Sequence, residues 1–335
     1  MLQKSIQILK GLQYHTGLFA ASSMNVKTGY NMSWIRDNIY ESLGFEALKD
    51  YKSVKKTFHA LLDILLKHEY KIDWAIKEKP KHRHQYIHAR YNPITMEEVW
   101  EEWGNKQNDA VGALLFKIGD LELKGIGIIR NENDLRIIQK VVYYLESIEY
   151  WKDKDNGMWE ENEEIHASSV GACVAGLKKI SRAVDIDIPE ELIKKGEDSL
   201  ANILPRESET KETDLALLSL IYPYNIVTAF QRDEILKNVE EKLVRAKGVM
   251  RYIGDSYYNN GSGEAQWTMG LCWLAIIYKK LNDPEKYAHY FRMAVNSINR
   301  KGELPELYFA GSDKHNENSP LGWAQSLFVV AQAEE

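Results

Sequence analysis

Cysteine and proline are scarce in this chain, with 2 and 8 in 335 residues. Cys173 and Cys272 each sit inside an apolar helical pattern. They read as buried free thiols, which excludes a disulfide framework and a cysteine-based metal motif. No low-complexity run or Pro/Gly-rich stretch marks a linker, and 21 glycines are spread along the chain. Long hydrophobic runs are absent too. The opening MLQKSIQILKGLQYHTGLFAASS has Gln, Lys and His breaking every apolar stretch, so it lacks the core of a signal peptide and a cytoplasmic location is expected. Positive charge is also short, with 43 Lys and Arg against 49 Asp and Glu, a net of −6. With no basic stripe, neither nucleic acid nor an anionic membrane is expected as a partner.

What is present is an ordinary folding composition, 44% hydrophobic and 27% charged, able to bury a large core. Nine Trp and 19 Tyr are many. Aromatics fill cores first, but they also stack on flat apolar faces such as those of sugar rings.

Apolar spacing at i, i+3, i+4 and i+7 dominates, and β-like alternation is scarce. The spacing predicts an all-α chain with helices at roughly 2–13, 34–49, 52–69, 106–122, 134–150, 165–183, 189–201, 213–221, 231–246, 264–281, 284–300 and 320–333. The connections alternate in character. Those after even helices are short or plainly polar, such as LNDPE near 283, while those after odd helices are longer and rich in Trp, Tyr, Gly and paired charges. A helical hairpin repeated six times with its elaborate loops at one end is what an (α/α)6 barrel produces, here a single domain over residues 1–335. NDAVGALLFKIG, HASSVGACVAGL and WTMGLCWLAII, with small residues and few charges, suit helices surrounded by protein. An open α-solenoid is the alternative, but it would show a clearer repeat and polar caps.

The decorated loops hold the candidate chemistry. NMSWIRDNIY brings Trp34, Arg36 and Asp37 together; a guanidinium fork beside a carboxylate suits adjacent sugar hydroxyls. Read alone, Asp37 caps the helix and Arg36 pairs with it. The longest loop, about 70–105, has the length of a functional segment and leads through Trp103 and Gln107 to Asp109. His82, His84 and His88 lie in it, but with no further ligand at a recognisable spacing they read as solvated, and no metal is expected. In KDKDNGMWEENEE, Glu160 and Glu161 follow Trp159. A carboxyl packed near an indole loses solvation and can stay protonated near neutrality; a plain acidic loop before a helix is the bland alternative. GVMRYIGDSYYNNGSGEAQW supplies Arg251, Asp255, Tyr257 and Trp267, and LPELY places Glu306 just after a stiffening Pro305. Two carboxylates on opposite loops of one rim match what glycoside cleavage needs, one to protonate the departing oxygen and one to attack or activate water.

SWIRDNIY, HARYN, WGNKQNDA, GMWEE, HASSVGA, ILPRESETKETDLALLSL, GVMRYIGDSYY, LPELY and PLGWAQSLFV together carry a resemblance that runs along nearly the whole chain. The chain resembles glycoside hydrolase family 15, the glucoamylase-like enzymes, and more closely the related amino-terminal domain of phosphorylase kinase α and β subunits. The resemblance implies an (α/α)6 barrel and an inverting enzyme with Glu160 as general acid and Glu306 as general base. It implies that Arg36 and Asp37 hold the terminal glucose, that Arg251 is a second sugar-binding arginine, that Glu161 stands beside the acid and that Trp103 and Trp267 line the pocket. Trp34, Asp109, Trp159 and Asp255 complete the expected substrate-binding set. Gly157 departs from fungal glucoamylases, which have an aspartate there. No starch-binding module, amino-terminal β-sandwich, kinase-type regulatory extension or prenylation box is expected. The implied ligand is an α-glucan or small α-glucoside without a cofactor; the implied alternative is a non-catalytic regulatory domain that binds carbohydrate and a protein partner.

Overall fold

Apolar residues one helical turn apart turn each outer helix toward a common centre. In the computed structural model, which describes residues 1–101 and 104–333, α3 (Tyr51–Lys67) buries Val54, Phe58, Leu61, Leu62 and Leu65 and leaves its lysines outside. The outer layer comprises α1 (Leu2–Leu12), α3, α4 (Glu69–Lys77), α6 (Glu132–Ile148), α8 (Leu192–Ile203), α9 (Ala229–Lys242) and α11 (Pro284–Asn296). Several start on side-chain caps: Asp50 accepts from the Ser53 N–H, Asn131 from those of Asn133 and Asp134, and Asp283 from that of Lys286.

The inner elements are α2 (Ile35–Ala47), α5 (Asn108–Leu123), α7 (Ala167–Ala183), a 3₁₀ helix (Leu215–Leu220), α10 (Thr268–Lys280) and α12 (Gly322–Gln332). They are buried on nearly every side, as their small and apolar residues dictate. Each packs on the next in chain order, and α12 returns to α2, so six hairpins form an (α/α)6 ring. The first helix, α1, lies against the last, α12. None of the inner α-helices has a side-chain N-cap of its own. Neighbouring loops cap them instead: the Ile35 N–H donates to the Ala89 carbonyl, that of Asn108 to Asp155 and that of Gly322 to the Ala21 carbonyl. Loop and ring are thereby fixed to each other at the end where the loops gather.

Two small ladders tie those loops together. β1 (Ser33–Trp34) pairs antiparallel with β2 (Arg90–Tyr91), and β3 (Gln266–Trp267) with β4 (Leu307–Tyr308). The second ladder sets Trp267 opposite Leu307, beside Glu306.

Two expected elements differ. The helix placed at 213–221 is the 3₁₀ helix Leu215–Leu220, six buried residues opened by Asp214 and stopped by Pro223 after Tyr222. Residues 70–77, expected in the long loop, belong to α4, which a narrow stripe of Lys71, Ile72 and Ala75 buries. Both cysteines are buried and free, as their apolar surroundings indicated.

Candidate active site

A small cavity of about 60 Å³ lies at the N-terminal ends of α2, α10 and α12, with Trp34, Trp159, Trp267 and Trp323 among its walls. Asp37 and Asp109 stand in the first turns of α2 and α5, where the partial positive charge of a helix start favours carboxylates.

Glu160 reaches this cavity from a turn in which its backbone is left-handed, with φ 63°. Its Oε1 accepts from Gln107 Nε2 at 2.8 Å and lies 3.5 Å from an Arg36 nitrogen. Burial outweighs these two donors and pushes the carboxyl up to about 7. The desolvating surround is the pocket as a whole. Trp159 does not supply it alone, because its indole N–H is spent on Asp214 at 2.7 Å and its ring lies under Arg251.

Glu306 faces the same cavity and is 0% exposed. Its Oε1 accepts from the Tyr30 hydroxyl at 2.7 Å, and its Oε2 accepts from Asn318 at 2.8 Å and from Asn316. Burial raises this carboxyl while the three donors pull the other way, the net being upward. The two carboxyls thus differ in kind. Glu160, raised by burial, keeps a proton near neutrality, whereas Glu306 is held as an acceptor by three donors.

Two guanidinium groups complete the walls, each fixed from behind. Arg36 donates to Asp109 at 2.9 and 3.2 Å and to Gln107 at 2.8 Å, so its partner is Asp109 and not the adjacent Asp37. Asp37 is left facing the cavity, and burial, opposed by Arg36, raises it to about 6. Arg251 grips Asp255 with two bonds of 2.7 and 2.6 Å and reaches Glu161 at 2.9 Å. Its guanidinium also lies over Trp267, 5.0 Å from the ring centre. Burial alone would raise Glu161, but Arg251, Lys211 and the Tyr252 hydroxyl hold it below the usual carboxylate range.

Of the residues singled out from sequence, Trp34, Arg36, Asp37, Trp159, Glu160, Arg251, Trp267 and Glu306 line the cavity. Asp109, Glu161 and Asp255 stand behind the wall and hold its arginines. Trp103 lies outside the described residues. His82 and His84 stack on each other and His88 receives the Arg90 N–H; among the described residues no cluster of His, Cys, Asp or Glu could hold a metal ion. Gly157, at φ 62°, has a reason to be glycine, since a Cβ there would meet the His166 ring at 2.9 Å. Sequence reading missed Tyr30, Asn316, Asn318 and Trp323. The asparagines lie in a polar loop and Trp323 in an apolar run, so neither carries a local signal.

The chain matches glycosyl hydrolases family 15 over residues 1–334. It is similar to the probable phosphorylase b kinase regulatory subunit alpha of Caenorhabditis elegans, at 26% identity over 94% of this chain. It is also similar to the liver isoform of that subunit from Mus musculus, at 27% over 94%. The chain spans 31% of the length of either relative. Among solved structures, a wild-type glycosidase has a TM-score of 0.83 at 17% identity, covering 98% of this chain and 94% of that one. The glucoamylase of Saccharomycopsis fibuligera has a TM-score of 0.68 at 16% identity, with coverage of 98% and 94%. These two likenesses show a shared fold. Among the described residues, no helix is long and apolar enough to cross a membrane.

Proposed function

Because the chain belongs to glycosyl hydrolases family 15, we propose that it is an inverting, exo-acting glycoside hydrolase of the glucoamylase type. It releases glucose from the non-reducing end of an α-glucan or small α-glucoside. The observation that carries this reading is the pairing in one cavity of a carboxyl raised to about 7, Glu160, with one held by three donors, Glu306. Glu160 gives its proton to the glycosidic oxygen as the bond breaks, and Glu306 takes a proton from the water that attacks the opposite face. Asp37 and the two arginines hold the hydroxyls of the terminal sugar, and the indoles pack on its faces.

The test is incubation with maltose, isomaltose, trehalose and maltodextrins while NMR follows the released anomer. β-Glucose is the expected first product, and Glu160→Gln and Glu306→Gln each lower kcat by at least about a hundredfold. Absence of glucose from every substrate, or α-glucose as first product, sinks the assignment.

A second reading rests on the curated relatives, which are regulatory subunits of phosphorylase b kinase. On it, the pocket binds a glucan end without cutting it and passes that state to a partner protein. Maltodextrin that raises the melting temperature without release of glucose distinguishes this reading from the first.

A further inference from the structure

The loop 207–214, within the stretch LPRESETKETD, is not among the walls of the cavity, yet it grips the turn that carries Glu160 on either side. Asp214 Oδ1 accepts from the Trp159 indole N–H at 2.7 Å, and the Lys211 ammonium donates to Glu161 Oε2 at 2.7 Å. The residues before and after Glu160 are thus tied to one segment, while Glu160 between them faces the cavity.

That segment is braced independently of the turn. Glu207 accepts from the N–H and the hydroxyl of Ser168, at the start of α7, at 3.1 and 2.5 Å. The N–H groups of Glu207 and Ser208 donate to the Lys211 carbonyl at 3.0 and 3.1 Å, and Glu164 accepts from the hydroxyls of Ser208 and Thr210, each at 2.8 Å. At its far end Asp214 also accepts from the Ala216 N–H and opens the 3₁₀ helix. The turn needs such a hold. Glu160 has φ 63°, a left-handed conformation that a residue with a Cβ keeps only where its surroundings impose it. Asn156 closes the base of the turn, accepting from the Glu161 N–H at 2.9 Å and donating to the Glu161 carbonyl at 2.6 Å.

Taking Glu160 as the general acid proposed above, we propose that the loop 207–214 clamps the acid's turn, with Lys211 and Asp214 as positioning residues that act through Glu161 and Trp159. Released on either side, the turn relaxes toward ordinary backbone angles and carries the Glu160 carboxyl away from the glycosidic oxygen. Sugar binding changes less, because Arg251 keeps its two bonds to Asp255 and Arg36 its bonds to Asp109. The loss therefore falls on kcat more than on KM. The charges that act most strongly on Glu160 are those of Arg36, Asp37 and Arg90, so a change at Lys211 reaches it through position.

The test follows the Glu160 carboxyl itself, by carbon-13 NMR titration of the full chain labelled at its glutamate carboxyls, with the signal assigned by Glu160→Gln. In parallel, kcat and KM are read on whichever of maltose, isomaltose, trehalose and maltodextrin is cleaved. Lys211→Met keeps the stem and removes the ammonium. In it the Glu160 midpoint is expected to fall from about 7 by about one unit as the carboxyl gains solvent. Its kcat is expected to fall at least about tenfold with KM little changed, and Lys211→Arg restores both. Asp214→Ala acts in the same direction, and Asp214→Asn, which keeps an oxygen for the indole N–H, restores the midpoint. Circular dichroism establishes that each variant is folded. An unmoved Glu160 midpoint in folded Lys211→Met overturns the proposal, as does a lowered melting temperature without a moved midpoint, which assigns the bond to stability alone. If the parent chain releases no glucose, the hydrolase reading falls, and the titration still decides whether the loop holds Glu160 in place.

Discussion

Side chains in the pocket are set by what stands behind them. Tyr30 and two asparagines give Glu306 its donors, while Gln107 at 2.8 Å and Arg36 at 3.5 Å face Glu160. On the proposed mechanism Glu160 must hold its proton to act as acid, so kcat/KM is expected to fall as pH rises through about 7, where Glu160 ionises. On the same mechanism Glu306 must be ionised to act as base, so the acidic limb is expected to belong to it. Tyr30→Phe removes one donor from the Glu306 carboxylate and destabilises its charged form. We expect the acidic limb of the pH–rate profile to move up by about one unit while the alkaline limb stays near pH 7. An unchanged acidic limb refutes this role for Tyr30. At this scale the sequence disclosed residues whose neighbours also carry chemistry, such as Arg36 with Asp37 and Trp159 with Glu160. It hid Tyr30, Asn316 and Asn318, whose relation to Glu306 exists only after the loop before β1 and the loop after β4 fold back onto it.

Helices of the inner ring approach each other through small residues. A Cβ on Gly112 of α5 would come within 2.3 Å of the Cys173 nitrogen on α7, and one on Gly176 within 2.4 Å of the Gly112 carbonyl oxygen. Two backbones in such contact leave no room for a methyl group. Gly112→Ala therefore destabilises the fold by about 1–3 kcal/mol or more, read as a lower melting temperature or denaturation midpoint. A variant as stable as the parent contradicts this packing. Helices such as α3, α6 and α8 were legible because their burial repeats with the helical period over several turns. The segment Leu215–Leu220 reads as an α-helix because its apolar run, broken only by Ser219, does not tell an α from a 3₁₀ helix, and α4 is missed because only Lys71, Ile72 and Ala75 of its nine residues are buried.

The molecule as a whole holds buried protons that the unfolded chain would release. His166, against Asp155 at 3.0 Å, is raised to about 9, burial opposing that rise and the carboxylate driving it. Its folded value exceeds the unfolded one, so its contribution, on the order of 3 kcal/mol, is complete below pH about 6.5 and lost as pH rises through about 9. Glu207, which burial raises to about 8, acts with the same sign. The melting temperature is expected to fall between pH 6.5 and 9, and His166→Gln to flatten the upper part of that fall. A profile equally steep in the variant rules His166 out as its source.

Because α1 lies against α12, the first and last helices meet at one seam of the ring. Every hairpin has a neighbour on both sides, and the order of hairpins is circular even though the chain is linear. Such a topology is indifferent to the point at which it is opened, so linking α12 to α1 and cutting the exposed turn near Asp187 should leave all six hairpin contacts intact. By the same geometry, a longer polypeptide can carry this ring as an insert whose entry and exit lie side by side.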